Sequence, residues 1–187
     1  MADPRVLVLA ASLRTGSFNV MLSKLAIEAL GKAGASTDVI QYKDVVAPNY
    51  DADEEKRTGI PDSVNTFVEH LTRADAFLIV SPEYNASIPG SLKNLIDWVS
   101  RKRPQPFWGH HGLLMSTSPR YNGGNRGLWA LRVPLEHLGA NVFPDMFSIP
   151  NADDGFTEDG KLASPKDEGR LERTVEGFLA LVRKVRA

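Results

Sequence analysis

The chain has 187 residues, of which 42% are hydrophobic and 24% are charged. These values are ordinary for a globular protein, and the length suits one well-cored domain spanning 1–187 better than two. The formal net charge of −1 argues against a nucleic-acid-binding protein and against binding to anionic membranes. The absence of cysteine excludes disulfides, thiol nucleophiles and thiolate metal sites, and it fits a reducing compartment.

The first apolar run of the chain is Val6–Ala11. This run is too short for the hydrophobic region of a signal peptide and too short to span a membrane. We therefore expect a cytoplasmic protein that has no membrane partner. A short, continuous apolar run is typical of a strand buried on both faces of a parallel sheet, and this is the first predicted strand.

Predicted strands and helices alternate along the rest of the chain. The predicted strands are Val6–Ala11, Thr37–Tyr42, Ala76–Val80, Leu113–Thr117 and Ala140–Phe143. The predicted helices are Ser17–Ala33, Val64–Leu71, Leu92–Val99, Gly127–Leu138 and Leu171–Val185. Two polar segments are predicted to be solvated loops: the acidic stretch Tyr50–Lys56, which is predicted to contain no helix, and Asn151–Asp159.

Five alternations of strand and helix, with no linker between them, predict an α/β fold. We expect a doubly wound parallel sheet of five strands in the flavodoxin-like order 2-1-3-4-5, covered by helices on both faces. Such a sheet binds ligands outside the carboxyl ends of its strands. The loops after strands 1, 3 and 4 are the richest in polar residues, so we expect them to form one crevice.

The loop after the first strand has the composition of a phosphate site. Residues 11–19 read ASLRTGSFN and lead directly into the first helix. A helix start favours negative charge, and Ser12, Arg14 and Ser17 can donate hydrogen bonds to a phosphate. The alternative is that Ser17 and Asn19 only cap and begin the helix. The segment has neither G-x-G-x-x-G nor G-x-x-x-x-G-K-[ST], which argues against a Rossmann dinucleotide site and a P-loop.

Two motifs together resemble one known family. SLRTGSFN at 12–19 and PEYNASIPGSLKNLIDWVSR at 82–101 look like the NADPH-dependent FMN reductase family, whose members include bacterial quinone, chromate and azo-dye reductases. The second motif is long and specific, and the resemblance extends over nearly the whole chain, weakening after Phe143. Ala11 departs from the family pattern, in which glycine usually precedes the first serine.

The resemblance implies which residues bind the cofactor. The first loop would hold the FMN phosphate, while the PEYN turn and the serine-rich loop after the fourth strand would border the isoalloxazine ring. The implied cofactor-binding residues are Ser12, Arg14, Ser17, Phe18, Asn19, Pro82, Glu83, Tyr84, Asn85, Ser116 and Ser118. No residue is assigned as catalytic, because the flavin carries the chemistry, and no metal site is expected.

Charged residues near these motifs have more than one interpretation. A carboxylate beside a reduced flavin is unfavourable, so Glu83 is expected to point toward an arginine or a neighbouring subunit; the alternative is an ordinary exposed acid. Lys93 and Asp97, four residues apart, are expected to form a surface ion pair on a helix. Arg120 and Tyr121 are less typical of the family. They either affect substrate entry or bind the phosphate of the nicotinamide nucleotide, or they belong to a solvated turn.

The resemblance implies an enzyme that binds FMN noncovalently and is reduced by NADPH or NADH. Its expected acceptors are quinones, with azo compounds, chromate and free flavin as further candidates, in a ping-pong cycle. The resemblance also implies a homodimer or homotetramer. The alternative is an FMN-binding electron carrier or regulatory module without turnover, and the lack of a strongly acidic docking surface argues against it.

Overall fold

The structure is a computed structural model that describes residues 3–186. Within that range one sheet is surrounded by helices. The strands are β1 (Arg5–Ala10), β2 (Ser36–Ile40), β3 (Ala76–Val80), β4 (His111–Thr117), β5 (Asn141–Val142) and β6 (Phe147–Ile149). The helices are α1 (Phe18–Lys32), α2 (Ala52–Thr58), α3 (Asp62–Arg73), α4 (Gly90–Val99), α5 (Asn125–His137), α6 (Ala152–Gly155) and α7 (Pro165–Arg186), with a 3-10 turn at Tyr42–Val45.

Every strand pair in the sheet is parallel, and the order is β2-β1-β3-β4-β5. The predicted flavodoxin-like class and strand order are confirmed. All residues of β3 are buried, and their side chains alternate between the two faces of the sheet. Phe77 and Ile79 pack with α3, α4 and α5, whereas Ala76 and Leu78 pack with α1 and α7. This two-sided burial explains why the strand reads as a continuous apolar run.

The edge of the sheet beside β4 is divided into two short strands. β5 pairs with the beginning of β4, and β6 pairs with its end. The Phe143 N–H still donates to the Gly112 carbonyl of β4 at 2.7 Å, and the ladder is interrupted after it, where Pro144 has no N–H to donate. The single strand predicted at Ala140–Phe143 therefore corresponds to β5 alone, and β6 was not predicted.

Both segments predicted as solvated loops contain a helix, so that prediction is wrong. In α2 the side chain of Asp51 accepts a hydrogen bond from the Asp53 N–H at 2.8 Å, and acidic residues precede basic ones along the helix. These features stabilise a helix through its ends and its dipole. Because α2 buries no residue, it has no apolar stripe. The second segment contains α6, and it buries Ala152 and Phe156.

The other predicted helices correspond to α1, α3, α4, α5 and α7. Their observed bounds agree with the predicted ones within a few residues, with one exception. Helix α7 begins at Pro165, whereas the prediction began at Leu171, because the first turns of α7 are polar and show no apolar periodicity. None of the helices described between residues 3 and 186 combines the length and apolar character that crossing a bilayer requires.

Gly112 is a point of close approach between β4 and a side chain of β3. It lies opposite Phe77 in the strand register, and a Cβ added at Gly112 would come within 2.1 Å of the Phe77 ring. That ring is 1% exposed and packs edge-on against Phe107, with the ring centroids 5.7 Å apart. It has no open space into which it can move.

We therefore expect Gly112→Ala to lower the free energy of unfolding by about 1–3 kcal/mol, because it overpacks the core. Gly31→Ala is the matched control: it adds the same methyl group to α1 with no atom within 4 Å. Removing a helical glycine there should raise stability by about 0.5–1 kcal/mol. Urea unfolding followed by circular dichroism measures both changes, and an unchanged midpoint for Gly112→Ala would contradict the packing described.

Candidate functional site

The loops after β1, β3 and β4 meet at the carboxyl edge of the sheet, as the topology predicts. They line a cavity of about 120 Å³. The lining residues are Ser12, Arg14, Ser17, Phe18, Asn19, Pro82, Glu83, Tyr84, Thr117, Ser118 and Pro119. All of the predicted cofactor-binding residues therefore line one cavity, except Asn85 and Ser116.

The start of α1 forms one end of this cavity. Ser17 occupies the N-cap position and is buried, yet its side chain makes no capping hydrogen bond. The first amide of the helix to reach a backbone acceptor is the Met21 N–H, which donates to the Ser17 carbonyl at 3.0 Å. The N–H groups before it are those that a helix leaves free for an anion. The interpretation of Ser17 as a simple helix cap is not supported.

Asn19 holds the start of α1 against the end of β4. Its Nδ2 donates to the Thr117 carbonyl at 2.9 Å, and its Oδ1 accepts from the Thr117 N–H at 3.0 Å. Both bonds are buried. The Asn19 side chain therefore joins two walls of the cavity. Only the backbone N–H of Asn19 is left to bind a ligand as predicted.

Arg14 supplies a positive charge at the rim. It is exposed, and among residues 3–186 no carboxylate lies within ion-pair distance of its guanidinium. Its backbone N–H lies 3.4 Å from the Ser12 Oγ, which keeps that hydroxyl at the same rim. An uncompensated guanidinium beside free helix N–H groups suits an anionic group such as a phosphate.

The PEYN turn is a tight hairpin that forms the opposite wall. Tyr84 and Ser87 exchange two backbone hydrogen bonds of 3.0 Å, and Asn85 and Ala86 between them have φ angles of +50° and +61°. Two successive positive φ angles are typical of a type I′ turn, which favours glycine or asparagine. Ala86 is neither, so strain is stored at the rim of the site. The hairpin leaves 53% of Tyr84 exposed as a flat wall.

The two predicted residues outside the lining lie in different environments. Asn85 is exposed at the hairpin tip. Ser116 is fully buried, and within the described chain its Oγ has no hydrogen-bond partner. A Cβ added at Gly124 would come within 2.0 Å of that Oγ, so the glycine backbone covers it. Thr117, which was not predicted, lines the cavity instead, and its buried hydroxyl donates to the Ile149 carbonyl at 3.0 Å. The alternation of side chains along β4 is the signal that distinguishes it from Ser116.

The carboxylate of Glu83 is fully engaged by its own chain. It accepts from the Asn122 Nδ2 at 3.0 Å, from the Arg126 Nε and Nη2 at 3.0 and 2.6 Å, and from the Gly127 N–H at 3.1 Å. Burial by itself raises the pKa of Glu83, but these hydrogen bonds outweigh it and hold the pKa below its ordinary value. The prediction that Glu83 points toward an arginine is confirmed.

The segment after β6 supports the third loop from outside. The Ala152 N–H donates to the Ser118 carbonyl at 3.0 Å, and the ring of Phe156 stacks on Phe18 at 5.6 Å. Tyr121, at the outer side of the same loop, is 85% exposed. The segment therefore fixes the loop after β4, and none of its residues is among those that line the cavity.

A second cleft and a surface ion pair lie outside this cavity. The wider cleft, of about 550 Å³, lies between α5, residues 144–146 and α7, and it shares no lining residue with the cavity between the three loops. Between residues 3 and 186 there is no group of three or more His, Cys, Asp or Glu side chains that could hold a metal ion. The predicted ion pair on α4 is confirmed, with 2.6 Å between the Lys93 Nζ and the Asp97 carboxylate.

Comparison with known proteins gives the site a family. The model of the NADPH-dependent FMN reductases matches residues 4–154, which include all three loops. The chain belongs to that family. The match ends near the place where the motif resemblance weakens, after Phe143.

Individual relatives agree with this membership. A quinone reductase of Escherichia coli K12 is 40% identical over 139 residues, which cover 74% of this chain and 72% of the relative. An NAD(P)H-dependent FMN reductase of Pseudomonas aeruginosa is 33% identical over 186 residues, with 98% of both chains covered. Among solved structures, the flavoenzyme FerB of Paracoccus denitrificans, an NAD(P)H:(acceptor) oxidoreductase, superposes with a TM-score of 0.80 at 26% identity over 97% of this chain and 98% of that one.

Family membership confirms three expectations: an oxidoreductase, FMN as its cofactor, and a nicotinamide nucleotide as its electron donor. The residues present fit that cofactor. The uncompensated guanidinium of Arg14 and the free N–H groups of α1 suit its phosphate, and the exposed ring face of Tyr84 suits its isoalloxazine ring.

The strain in the hairpin generates a stability prediction. Ala86→Gly should raise the free energy of unfolding by up to about 1 kcal/mol, because glycine adopts a positive φ without a Cβ clash. The matched control is Ala180→Gly, an exposed position within α7, where the same change should cost about 1 kcal/mol. Thermal unfolding of both variants without cofactor measures the difference, and a loss of stability at both positions would contradict the turn geometry.

Proposed function

We propose that the protein transfers two electrons from NADPH or NADH to a quinone through FMN held noncovalently between the loops after β1, β3 and β4. The observation that carries this proposal is the combination, in one cavity, of anion-binding groups at one end and an exposed aromatic wall at the other. FMN, when bound, supplies the chemistry, because it accepts a hydride from the nicotinamide and passes two electrons to the acceptor.

At the phosphate end we assign the hydroxyls of Ser12 and Ser17, the guanidinium of Arg14 and the backbone N–H groups of Phe18 and Asn19. The guanidinium has no competing carboxylate among the described residues, and the helix N-terminus adds a partial positive charge. Together they compensate the charge of a phosphate monoester. Asn19 acts in addition by fixing α1 to β4.

At the ring end we assign Pro82, Tyr84 and the backbone of Asn85. The cavity of about 120 Å³ is smaller than sites that enclose a whole ligand, so the ring is expected to lie partly open to solvent. The opening of this cavity would allow the nicotinamide to enter first and the acceptor afterwards at the same place. This geometry supports a ping-pong cycle.

The reaction consumes NAD(P)H, a quinone and one proton, and it yields NAD(P)⁺ and the hydroquinone. Glu83 is the only carboxylate that lines the described cavity, and it is ionised and occupied by hydrogen bonds. It therefore has no proton to donate to the acceptor. We infer that the proton comes from solvent through the open rim.

Quinones are the acceptors we favour, since relatives from Escherichia coli and a Burkholderia species are named quinone reductase and 2-hydroxy-1,4-benzoquinone reductase. Azo compounds, chromate and free flavin remain further candidates. We also propose that 1–187 form a single domain that assembles as a homodimer or homotetramer. Support for assembly comes from α5, where Trp129 and Val133 lie on one helix face with 59% and 69% of their surface exposed.

The proposed activity is tested by adding NADPH or NADH to the FMN-loaded protein without air. We expect rapid loss of the flavin's visible absorbance, followed by its rapid return when a benzoquinone is added in a second mixing step. Azo dye, chromate and free flavin at the same concentration serve as comparison acceptors. Persistence of the oxidised spectrum after NADPH and NADH would instead indicate an electron carrier without its own turnover.

The phosphate role of Arg14 generates a separate prediction. Arg14→Ala should weaken FMN binding by about tenfold to a hundredfold, because a hydrogen bond to a charged group contributes roughly 1.5–3 kcal/mol. Riboflavin, which lacks the phosphate, should bind the variant as it binds the wild type. Arg57→Ala on α2, where the arginine pairs with Glu54, is the control. Calorimetric titration measures all affinities, and equal losses for FMN and riboflavin would refute the assignment.

A further inference from the structure

We propose that Glu83 and Arg126 form a charge-neutral brace that fixes the spacing between the PEYN hairpin and the start of α5, and so sets the potential of the FMN beside it. Glu83 acts as a positioning residue in this proposal. The inference deepens the proposed function and rests on it where the flavin is concerned.

The brace joins two segments that are distant in sequence. Glu83 lies in the loop after β3, whereas its partners Asn122, Arg126 and Gly127 lie at the end of the loop after β4 and in the first turn of α5. Residues of both loops line the same cavity. A single carboxylate therefore connects the two walls.

α5 depends on this carboxylate for its N-terminal cap. Its N-cap residue is Gly124, which has a φ of +82° and no side chain to accept a hydrogen bond. The Gly127 N–H in the first turn donates instead to the Glu83 carboxylate at 3.1 Å. A negative charge at this end also interacts favourably with the helix dipole. The PEYN loop thus supplies the cap that the sequence of α5 lacks.

Close packing leaves little freedom at the junction. A Cβ added at Gly127 would lie 3.1 Å from the Glu83 Cβ and 3.1 Å from the Ser87 carbonyl oxygen. The helix start is therefore in contact with both the brace and the far strand of the hairpin. Movement of α5 relative to the hairpin would require the Glu83 carboxylate to lose its hydrogen bonds.

The two charges of the brace differ in burial. The Glu83 side chain is 7% exposed, whereas the Arg126 side chain is 60% exposed, and their closest atoms are 2.6 Å apart. Solvent screens the guanidinium more than the carboxylate. Loss of the arginine would leave a poorly screened negative charge at the cavity, and loss of the carboxylate would leave a well-screened positive one.

The test uses the charge-neutralising variants Glu83→Gln, which keeps the shape of the side chain, and Arg126→Gln, which shortens it, together with the double variant. Asp97→Asn and Lys93→Gln are matched controls, because they neutralise an ion pair of the same 2.6 Å length on α4, outside the cavity lining. The first readout is amide hydrogen exchange of Tyr84 and Ser87 in the cofactor-free protein. The second is the midpoint potential of the bound FMN.

In the cofactor-free protein we expect exchange at Tyr84 and Ser87 to accelerate about tenfold in Glu83→Gln, since the amide group of glutamine meets donors that it cannot satisfy. Arg126→Gln should accelerate exchange at the same two amides. Because this variant changes an exposed side chain, it is expected to fold, and it can serve as the test if Glu83→Gln does not fold. The α4 controls should leave both amides unchanged. Unchanged exchange in Arg126→Gln and in any folded Glu83→Gln protein would overturn the brace.

In the loaded protein the two single variants should move the potential in opposite directions. Arg126→Gln should lower the midpoint potential by about 30 mV. For two electrons this corresponds to an affinity for reduced FMN, relative to oxidised FMN, that is about tenfold weaker. Glu83→Gln should raise the potential by less, and the double variant should return near the wild type. Shifts of the same sign in both single variants would overturn the charge role. Absence of FMN binding in the wild type would refute the proposed function, while the exchange measurement would still decide the brace.

Discussion

The burial of the central strands on both faces is the constraint on which the site depends. Because β1, β3 and β4 are enclosed by helices, their side chains have no route to solvent except at the strand ends. Parallel pairing brings the carboxyl ends of these strands to one edge. The polar loops that follow them are therefore held together by the core, and the cavity needs no separate element to define it.

Cross-connections between the loops convert this proximity into a fixed shape. Asn19 joins the first helix to Thr117 at the end of β4, and Glu83 joins the PEYN hairpin to α5. Each connection uses a buried polar side chain whose hydrogen bonds are satisfied within the chain, which is the condition under which such groups stabilise a structure. Three loops that are far apart in sequence are thus held in fixed positions relative to one another.

The sequence predicts those features that depend on local pattern. The buried run Ala76–Val80 identified β3, and the SLRTGSFN and PEYN motifs identified most of the residues that line the cavity. Helix α2 was missed because caps and charge order, rather than an apolar stripe, stabilise it. The partners of Glu83 could not be read from the sequence, because they lie about forty residues away and depend on how α5 packs.

The division of the outer strand between β5 and β6 has a consequence for self-association. An uninterrupted strand at the border of a sheet offers a row of free amides and carbonyls on which another polypeptide can assemble. Here that border consists of pieces of two and three residues, separated by a segment that contains Pro144. Neither piece is long enough to template a foreign strand, so this border is protected against fibrillar aggregation by its own irregularity.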